Sequence, residues 1–204
     1  MSNSIAFSCD FNKYKCALFL CDMQEKFRQS ILNFNGITDI CKRLLTVATV
    51  LDIPLIVTEQ YPKGLGSTIN ELDITNAKLK IEKTCFSMMV DDVHNYLKKN
   101  EDIKIILLCG IESHVCILQT TLDLIRAGYC VMVISDGVSS RNETERHYAF
   151  EIMRQAGAII TTSEICLFQL IRDKNHSHFK TIQNLIKNVS STSTNIPSLP
   201  MNKL

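Results

Sequence analysis

The sequence predicts one three-layer α/β domain, a parallel sheet of six strands with helices on both faces, and three observations carry that expectation. Short runs rich in apolar and β-branched residues alternate with stretches of helical period as far as residue 171, the pattern of repeated β–α units. Parallel neighbours need right-handed crossovers, and the intervening helices supply them. The strand-like runs are apolar at nearly every position rather than at alternate ones, as strands buried on both faces are. Finally, 204 residues at 46% hydrophobic make one domain of ordinary size and leave no room for a second large one.

Taken in order, residues 15–21 (KCALFLC) read as the first strand and residues 38–52 as its helix, with Ile40, Leu44, Val47, Ala48 and Leu51 at helical spacing and Thr38 or Asp39 as cap. Pro54 ends that helix, residues 55–58 form the second strand, and residues 60–70 (QYPKGLGSTIN) are a loop dense in Gly, Pro, Ser and Asn. The third strand spans residues 78–82 and its helix residues 88–99. Residues 103–109 (IKIILLC) give the plainest strand signal, and a turn leads from there into a helix over 114–127 that Gly128 ends. Strand 129–135, helix 143–155, strand 158–161 and helix 164–171 complete six units. The domain is therefore placed at residues 1–172. Residues 173–204 read as a C-terminal tail, partly helical or disordered: Phe179, Ile182, Leu185 and Ile186 form one short amphipathic stretch, and 190–200 are too polar to bury much.

Composition narrows the function. Lys+Arg 22 against Asp+Glu 21 leave a net charge of +1, which gives no field to draw the chain to nucleic acid or to an anionic membrane. No apolar run approaches the roughly 18 to 20 residues of a bilayer span, and residues 1–14 lack the apolar core of a secretory signal. A cytoplasmic chain is expected, binding neither nucleic acid nor membrane. Two other addresses have weaker support: Asn202-Lys203-Leu204 differs by one residue from the Ser-Lys-Leu peroxisomal signal, and residues 1–14, with no Arg and with Asp10, make a poor mitochondrial leader. Nine cysteines without a C-x-x-C, most of them inside apolar runs, predict free thiols in a reducing compartment, with no disulfide framework and no zinc ribbon. The chain holds no H-E-x-x-H, no Walker loop and no G-x-S-x-G, and Gly64 and Gly66 lack the third glycine of the dinucleotide fingerprint. No cofactor and no metal are expected.

In an open parallel sheet, ligands bind beyond the carboxyl ends of the strands, so chemistry is sought in the residues that follow them. Asp22 closes the first strand, Lys83 follows the third, and Cys116 lies near the start of the helix after the fourth. The positive end of a helix dipole favours a nucleophilic thiolate. A carboxylate can take the thiol proton, and an ammonium holds that carboxylate ionised. Taken singly, each residue has an ordinary structural role, since cysteines pack, strand-end aspartates turn or cap, and loop lysines are solvated. Their meeting on one sheet edge is what points to a site. His114 lies two residues from Cys116 and cannot face it on a helix, so it reads as a cap or a pocket wall.

Four segments, residues 18–27 (LFLCDMQEKF), 58–67 (TEQYPKGLGS), 82–86 (EKTCF) and 110–138 (GIESHVCILQTTLDLIRAGYCVMVISDGV), resemble the isochorismatase-like cysteine hydrolases in order and spacing, most of all the eukaryotic isochorismatase domain-containing proteins. The resemblance runs from about residue 14 to residue 170. It implies a doubly wound sheet of order 3-2-1-4-5-6 and an Asp–Lys–Cys triad, which falls on Asp22 as general base, Lys83, and Cys116 as nucleophile. It further implies a cis peptide at Ile111–Glu112 and an oxyanion hole made by the backbone N–H groups of Glu112 and Cys116. Gln24, Tyr61 and His114 are taken as substrate-pocket residues, and a homo-oligomer is the family's habit.

One departure bears on the metal. Nicotinamidases of that family hold an ion through an Asp-x-His stretch and a further His after the second strand, where this chain reads Thr58-Glu59-Gln60-Tyr61-Pro62 without histidine. The expected activity is therefore metal-independent acyl transfer through the Cys116 thiolate, hydrolysing a small-molecule amide or a related C–N bond. The alternative is a catalytically weak binding or scaffold protein, or a redox sensor, that retains the triad.

Overall fold

The computed structural model describes residues 9–187. Strands β1 (Lys15–Cys21), β2 (Leu55–Gln60), β3 (Leu79–Lys83), β4 (Ile103–Gly110), β5 (Cys130–Val138) and β6 (Ile159–Thr161) form one sheet in the order β3-β2-β1-β4-β5-β6. All five pairings are parallel, the doubly wound arrangement expected. β1 is central because its residues after Lys15 are buried without a break, so both faces must be covered. The order reverses around β1, where β2 leaves on one side and β4 on the other. Past the carboxyl ends of these strands lies the crevice that such folds use for ligands.

The helices are α1 (Phe34–Val50), α2 (Pro62–Leu65), α3 (Asp91–Lys99), α4 (Leu118–Arg126), α5 (Glu143–Gln155), α6 (Ser163–Ile171) and α7 (Phe179–Lys187). The two-residue period of the strands sends Leu18, Leu20, Leu107 and Cys109 to one face, with Ile37 and Leu44 of α1, Leu167 of α6 and Ile182 of α7. Ala17, Phe19, Ile106 and Leu108 go to the other, with Val93 of α3, Leu124 of α4 and Phe150 of α5. Each fully buried Leu, Ile or Phe contributes about 1.5 to 3 kcal/mol, which is what fixes β1 between two layers. α5 starts where its sequence says, since the Asn142 side chain accepts from the Glu145 N–H and acids fill the first turn.

Several boundaries differ, for local reasons. α1 begins at Phe34, not at residue 38, because Asn33 in the left-handed region turns the chain into it. Thr38, expected as a cap, lies inside the helix and donates its hydroxyl to the Phe34 carbonyl at 2.8 Å. The loop over 60–70 holds α2, with Pro62 in its first turn. The helix expected over 114–127 divides into a π-turn, Ser113–Ile117, and α4. α7 places Ile182 and Ile186 in the same core as α1 and α6, so residues 179–187 pack with the domain. Residues 1–8 and 188–204 lie outside the described residues, and with them the leader and Asn-Lys-Leu expectations. Among the described residues no helix is long and apolar enough to cross a membrane.

The expectation about cysteines is corrected. Cys9 and Cys130 are joined in a disulfide, and the inference of a reducing compartment, which rested on nine free thiols, loses that basis. The two are 121 residues apart in sequence, yet β4 alone separates β1 from β5, and the segment before β1 meets the start of β5 with the Cα atoms 5.9 Å apart. Cysteine spacing carries no trace of such a pair.

The free thiols predict an alkaline limit to stability. Burial pushes the Cys16 thiol up to about 12 and raises Cys166, while hydrogen bonding to Cys109, then burial, raises Cys41. An unfolded thiol gives up its proton near about 8.5. Between that pH and the folded values the native state holds more protons than the unfolded one, so stability falls as pH rises. The urea midpoint should be level near neutral pH and decline above about pH 9, each such thiol costing up to about 1.4 kcal/mol per pH unit. A midpoint unchanged near about pH 10.5 would show that the fold does not hold these thiols neutral.

Candidate active site

The first turn after β1 sets the acid. Asp22 takes a left-handed conformation, φ 50°, and its N–H donates to the Thr58 carbonyl at 3.1 Å, which anchors it to the end of β2. Its carboxylate is 1% exposed. Oδ1 accepts from Thr58 Oγ1 at 2.7 Å, and Oδ2 accepts from Lys83 Nζ at 2.7 Å.

Lys83 is the last residue of β3, and its side chain is fully buried. Besides Asp22, its Nζ donates to Gln60 Oε1 at 2.7 Å and to the Phe86 carbonyl at 2.9 Å, which uses its three hydrogens, and it lies 3.2 Å from the Cys85 carbonyl and 3.8 Å from Cys116 Sγ. Burial alone pushes this ammonium toward its neutral form. The negative charge that Cys21, Asp22 and Cys116 can carry, with the hydrogen bond to Asp22, outweighs burial and raises it. Lys83 is therefore a fixed cation between an acid and a sulfur.

Cys116 sits in the π-turn, whose wide ring is closed by the Ile117 N–H donating to the Glu112 carbonyl at 3.1 Å. Such turns recur at functional sites. Its sulfur opens onto a cavity of about 570 Å³ lined by Asp22, Tyr61, Phe86, Glu112, Cys116 and Arg141, among others. The Ile111–Glu112 peptide is cis. The Glu112 carboxylate accepts from Arg141 at 3.2 and 3.4 Å beside the same cavity.

The sulfurs of Cys21 and Cys116 and a carboxylate oxygen of Asp22 all lie within 4.8 Å of one another. As a metal site this set is opposed by its own neighbour, because the Lys83 ammonium already occupies the cation's role and would repel a second one.

The structure thus brings Asp22, Lys83 and Cys116 together, and Tyr61 lines the cavity with Asp22 and Cys116. Gln24 is fully buried and is not among the lining residues. Its Nε2 donates to the Gln60 and Gly66 carbonyls at 2.9 and 2.6 Å, and its Oε1 accepts from the Gln60 N–H at 2.6 Å, so it ties the loop after β2 to the turn after β1. His114 does not line the cavity either; its Nδ1 lies 2.6 Å from Ser140 Oγ. The sequence reading missed Thr58 and Gln60 as partners of the acid and the ammonium, although both stand in a segment it had singled out. Phe86 likewise stands in a segment that carries the resemblance, 82–86, whereas Arg141 has no signal beyond following a strand.

Residues 16–165 match the isochorismatase domain family. The chain belongs to the isochorismatase family. It is 49% identical over 169 residues to isochorismatase domain-containing protein 1 of Danio rerio, covering 83% of this chain and only 60% of that one. It is 46% identical over 193 residues to isochorismatase family protein 1B of Dictyostelium discoideum, covering 92% and 94%. The isochorismatase fold is equally plain in solved structures: that described as MAR1 ribonuclease from Caenorhabditis elegans superposes with TM-score 0.83 at 44% identity, covering 94% of this chain and 96% of that one. The Escherichia coli ycaC product, described as an octameric hydrolase of unknown specificity, gives 0.79 at 23% identity over 91% and 92%, a likeness of fold alone.

Proposed function

We propose that this isochorismatase-family protein is a metal-independent cysteine hydrolase that transfers the acyl group of a small amide, or of a related C–N compound, to Cys116 and then to water. The observation that carries the reading is the buried Lys83 ammonium, 2.7 Å from the Asp22 carboxylate and 3.8 Å from the Cys116 sulfur, behind a cavity that Asp22 and Cys116 line. Asp22 takes the Cys116 proton as the sulfur attacks the carbonyl carbon, and the oxyanion forms against the N–H groups of Glu112 and Cys116. The C–N bond breaks, and the proton on Asp22 leaves with the amine. Asp22 then takes a proton from water, whose oxygen attacks the thioester, and returns it to the departing Cys116 sulfur. Lys83 keeps Asp22 charged and offsets the negative charge on the sulfur. A cavity of about 570 Å³ is of a size for a small molecule, and Tyr61 and Phe86, 54% and 48% exposed, offer apolar surface that such a substrate would cover. Assembly into a homo-oligomer belongs to the same proposal, since Tyr148 and Ile152 on α5 and Ile165 and Phe168 on α6 are exposed apolar residues that association would cover.

The name of the Caenorhabditis elegans neighbour favours a second reading, RNA cleavage. Against it stand a net charge of +1 and an Arg141 already paired with Glu112, which together offer little to hold a phosphate backbone.

The test is the rate of iodoacetamide alkylation at every free cysteine as a function of pH, read by mass spectrometry, in the native protein and in Asp22→Asn. Cys116 should react fastest near neutral pH, and the Asp22 change should slow it. A Cys116 no faster than exposed Cys85 would remove the nucleophile. Cleavage of a labelled RNA that survives Cys116→Ala would favour the second reading over the first.

A further inference from the structure

The mechanism above leaves one nucleophilic group at the site without a task. Cys21, the last residue of β1, has a fully buried side chain on the same face of the sheet as Cys116. Its sulfur lies within 4.8 Å of both the Cys116 sulfur and an Asp22 oxygen. β1 is held against β4 there by the Ile111 N–H, which donates to the Cys21 carbonyl at 3.1 Å. Only Cys116 of the pair lines the cavity.

We infer that Cys21 is the resolving thiol of Cys116, so that oxidation of the nucleophile by a hydroperoxide ends in a reversible Cys21–Cys116 disulfide. The inference rests on the reading of Cys116 as a reactive thiolate. In the first step the Cys116 sulfur attacks the outer peroxide oxygen. The S–O bond forms, the O–O bond breaks, and the hydroperoxide leaves as an alcohol or water after taking a proton, giving a sulfenic acid. In the second, Asp22 takes the Cys21 proton and the Cys21 sulfur attacks the Cys116 sulfur. The S–O bond breaks, and the hydroxide departs with that proton as water. The two sulfurs together lose two electrons, which reduce the peroxide. A dithiol reverses the bond by exchange.

Two features fit this assignment. Burial, with contact to the Cys116 sulfur and the Asp22 charge, holds the Cys21 thiol well above the ordinary thiol range, so Cys21 stays protonated and does not compete for substrate until Cys116 is oxidised. A disulfide needs its sulfurs at about 2.05 Å, and the two start within 4.8 Å of each other, a gap that side-chain rotation at Cys116 can close. Cys41 and Cys109 supply the contrast. They are also a buried thiol pair, but they lie on the other face of the sheet and line no cavity with Cys116.

The experiment treats the full chain with hydrogen peroxide, blocks free thiols, and maps peptides by mass spectrometry before and after dithiothreitol. The Cys21 and Cys116 peptides should be cross-linked, with loss of two hydrogens, and dithiothreitol should restore both thiols. In Cys21→Ser, and in Cys21→Ala as a second variant, Cys116 should run on to the sulfinic acid, which thiols do not reduce, so that its recovery falls about tenfold. A native chain in which Cys116 reaches the sulfinic acid while Cys21 remains a free thiol overturns the inference, as does a peroxide-inert Cys116. The alkylation profile separates the two failures: Cys116 fast with iodoacetamide but never linked to Cys21 removes this inference alone, whereas a slow Cys116 removes the nucleophile as well.

Discussion

Lys83→Met should destabilise the fold by about 3 to 5 kcal/mol and slow both Cys116 alkylation at neutral pH and amide turnover by about 10² to 10⁴-fold. The substitution keeps an unbranched side chain, one atom shorter, and removes its charge. Asp22 is left 1% exposed, with the Thr58 hydroxyl on one oxygen and nothing charged on the other. A carboxylate so placed lowers its energy by taking up a proton, and a protonated Asp22 cannot accept one from Cys116. Loss of stability and loss of reactivity thus have one cause, and a double-mutant cycle exposes it. Asp22→Asn with Lys83→Met removes both charges, so it should cost less stability than Lys83→Met alone while leaving Cys116 unreactive. Additive urea unfolding energies would show that the two side chains are not coupled, and normal alkylation in Lys83→Met would take the lysine out of the site.

The parts of this arrangement legible in the sequence are those that local pattern controls. β1 occupies Lys15–Cys21 and α5 Glu143–Gln155, as expected, because an unbroken apolar run and an Asn cap with acids behind it are local signals. Asp22, Lys83 and Cys116 were recognisable because each follows a strand, and a parallel sheet sends all such residues to one edge. What escaped depends on neighbours distant in sequence. α1 starts four residues early, at Phe34, because Asn33 takes the left-handed conformation, which no apolar period announces. The π-turn at Ser113–Ile117 adds a residue to the helical ring, which an apolar period cannot register. Gln60 serves Lys83, and Gln24 braces Gln60, only because β2 ends between β1 and β3. Cys9 meets Cys130 through strand order, not through spacing.

Gly110→Ala tests the other support of the site, the close approach of β4 to β1. Gly110 stands opposite Cys21 in the ladder and has φ +116°, and a Cβ built on it collides with the backbone oxygen, nitrogen and carbon of Cys21. A backbone cannot swing aside as a side-chain tip can, so the methyl must push the strand ends apart. The unfavourable conformation and the overpacking each cost about 1 to 3 kcal/mol. Gly128 separates the two effects, since its φ is +86° but a Cβ there meets nothing within 4 Å. Gly128→Ala should therefore show only the conformational part, about 1 kcal/mol, and leave Cys116 alkylation unchanged. Gly110→Ala should lose more stability in urea and slow Cys116 as well, because the displaced strand end carries Cys21 and Asp22 away from the sulfur. Equal losses in the two variants would mean that β1 yields freely at Cys21. The placement of the acid beside the thiol would then rest on the Thr58 and Lys83 contacts rather than on the packing of two backbones.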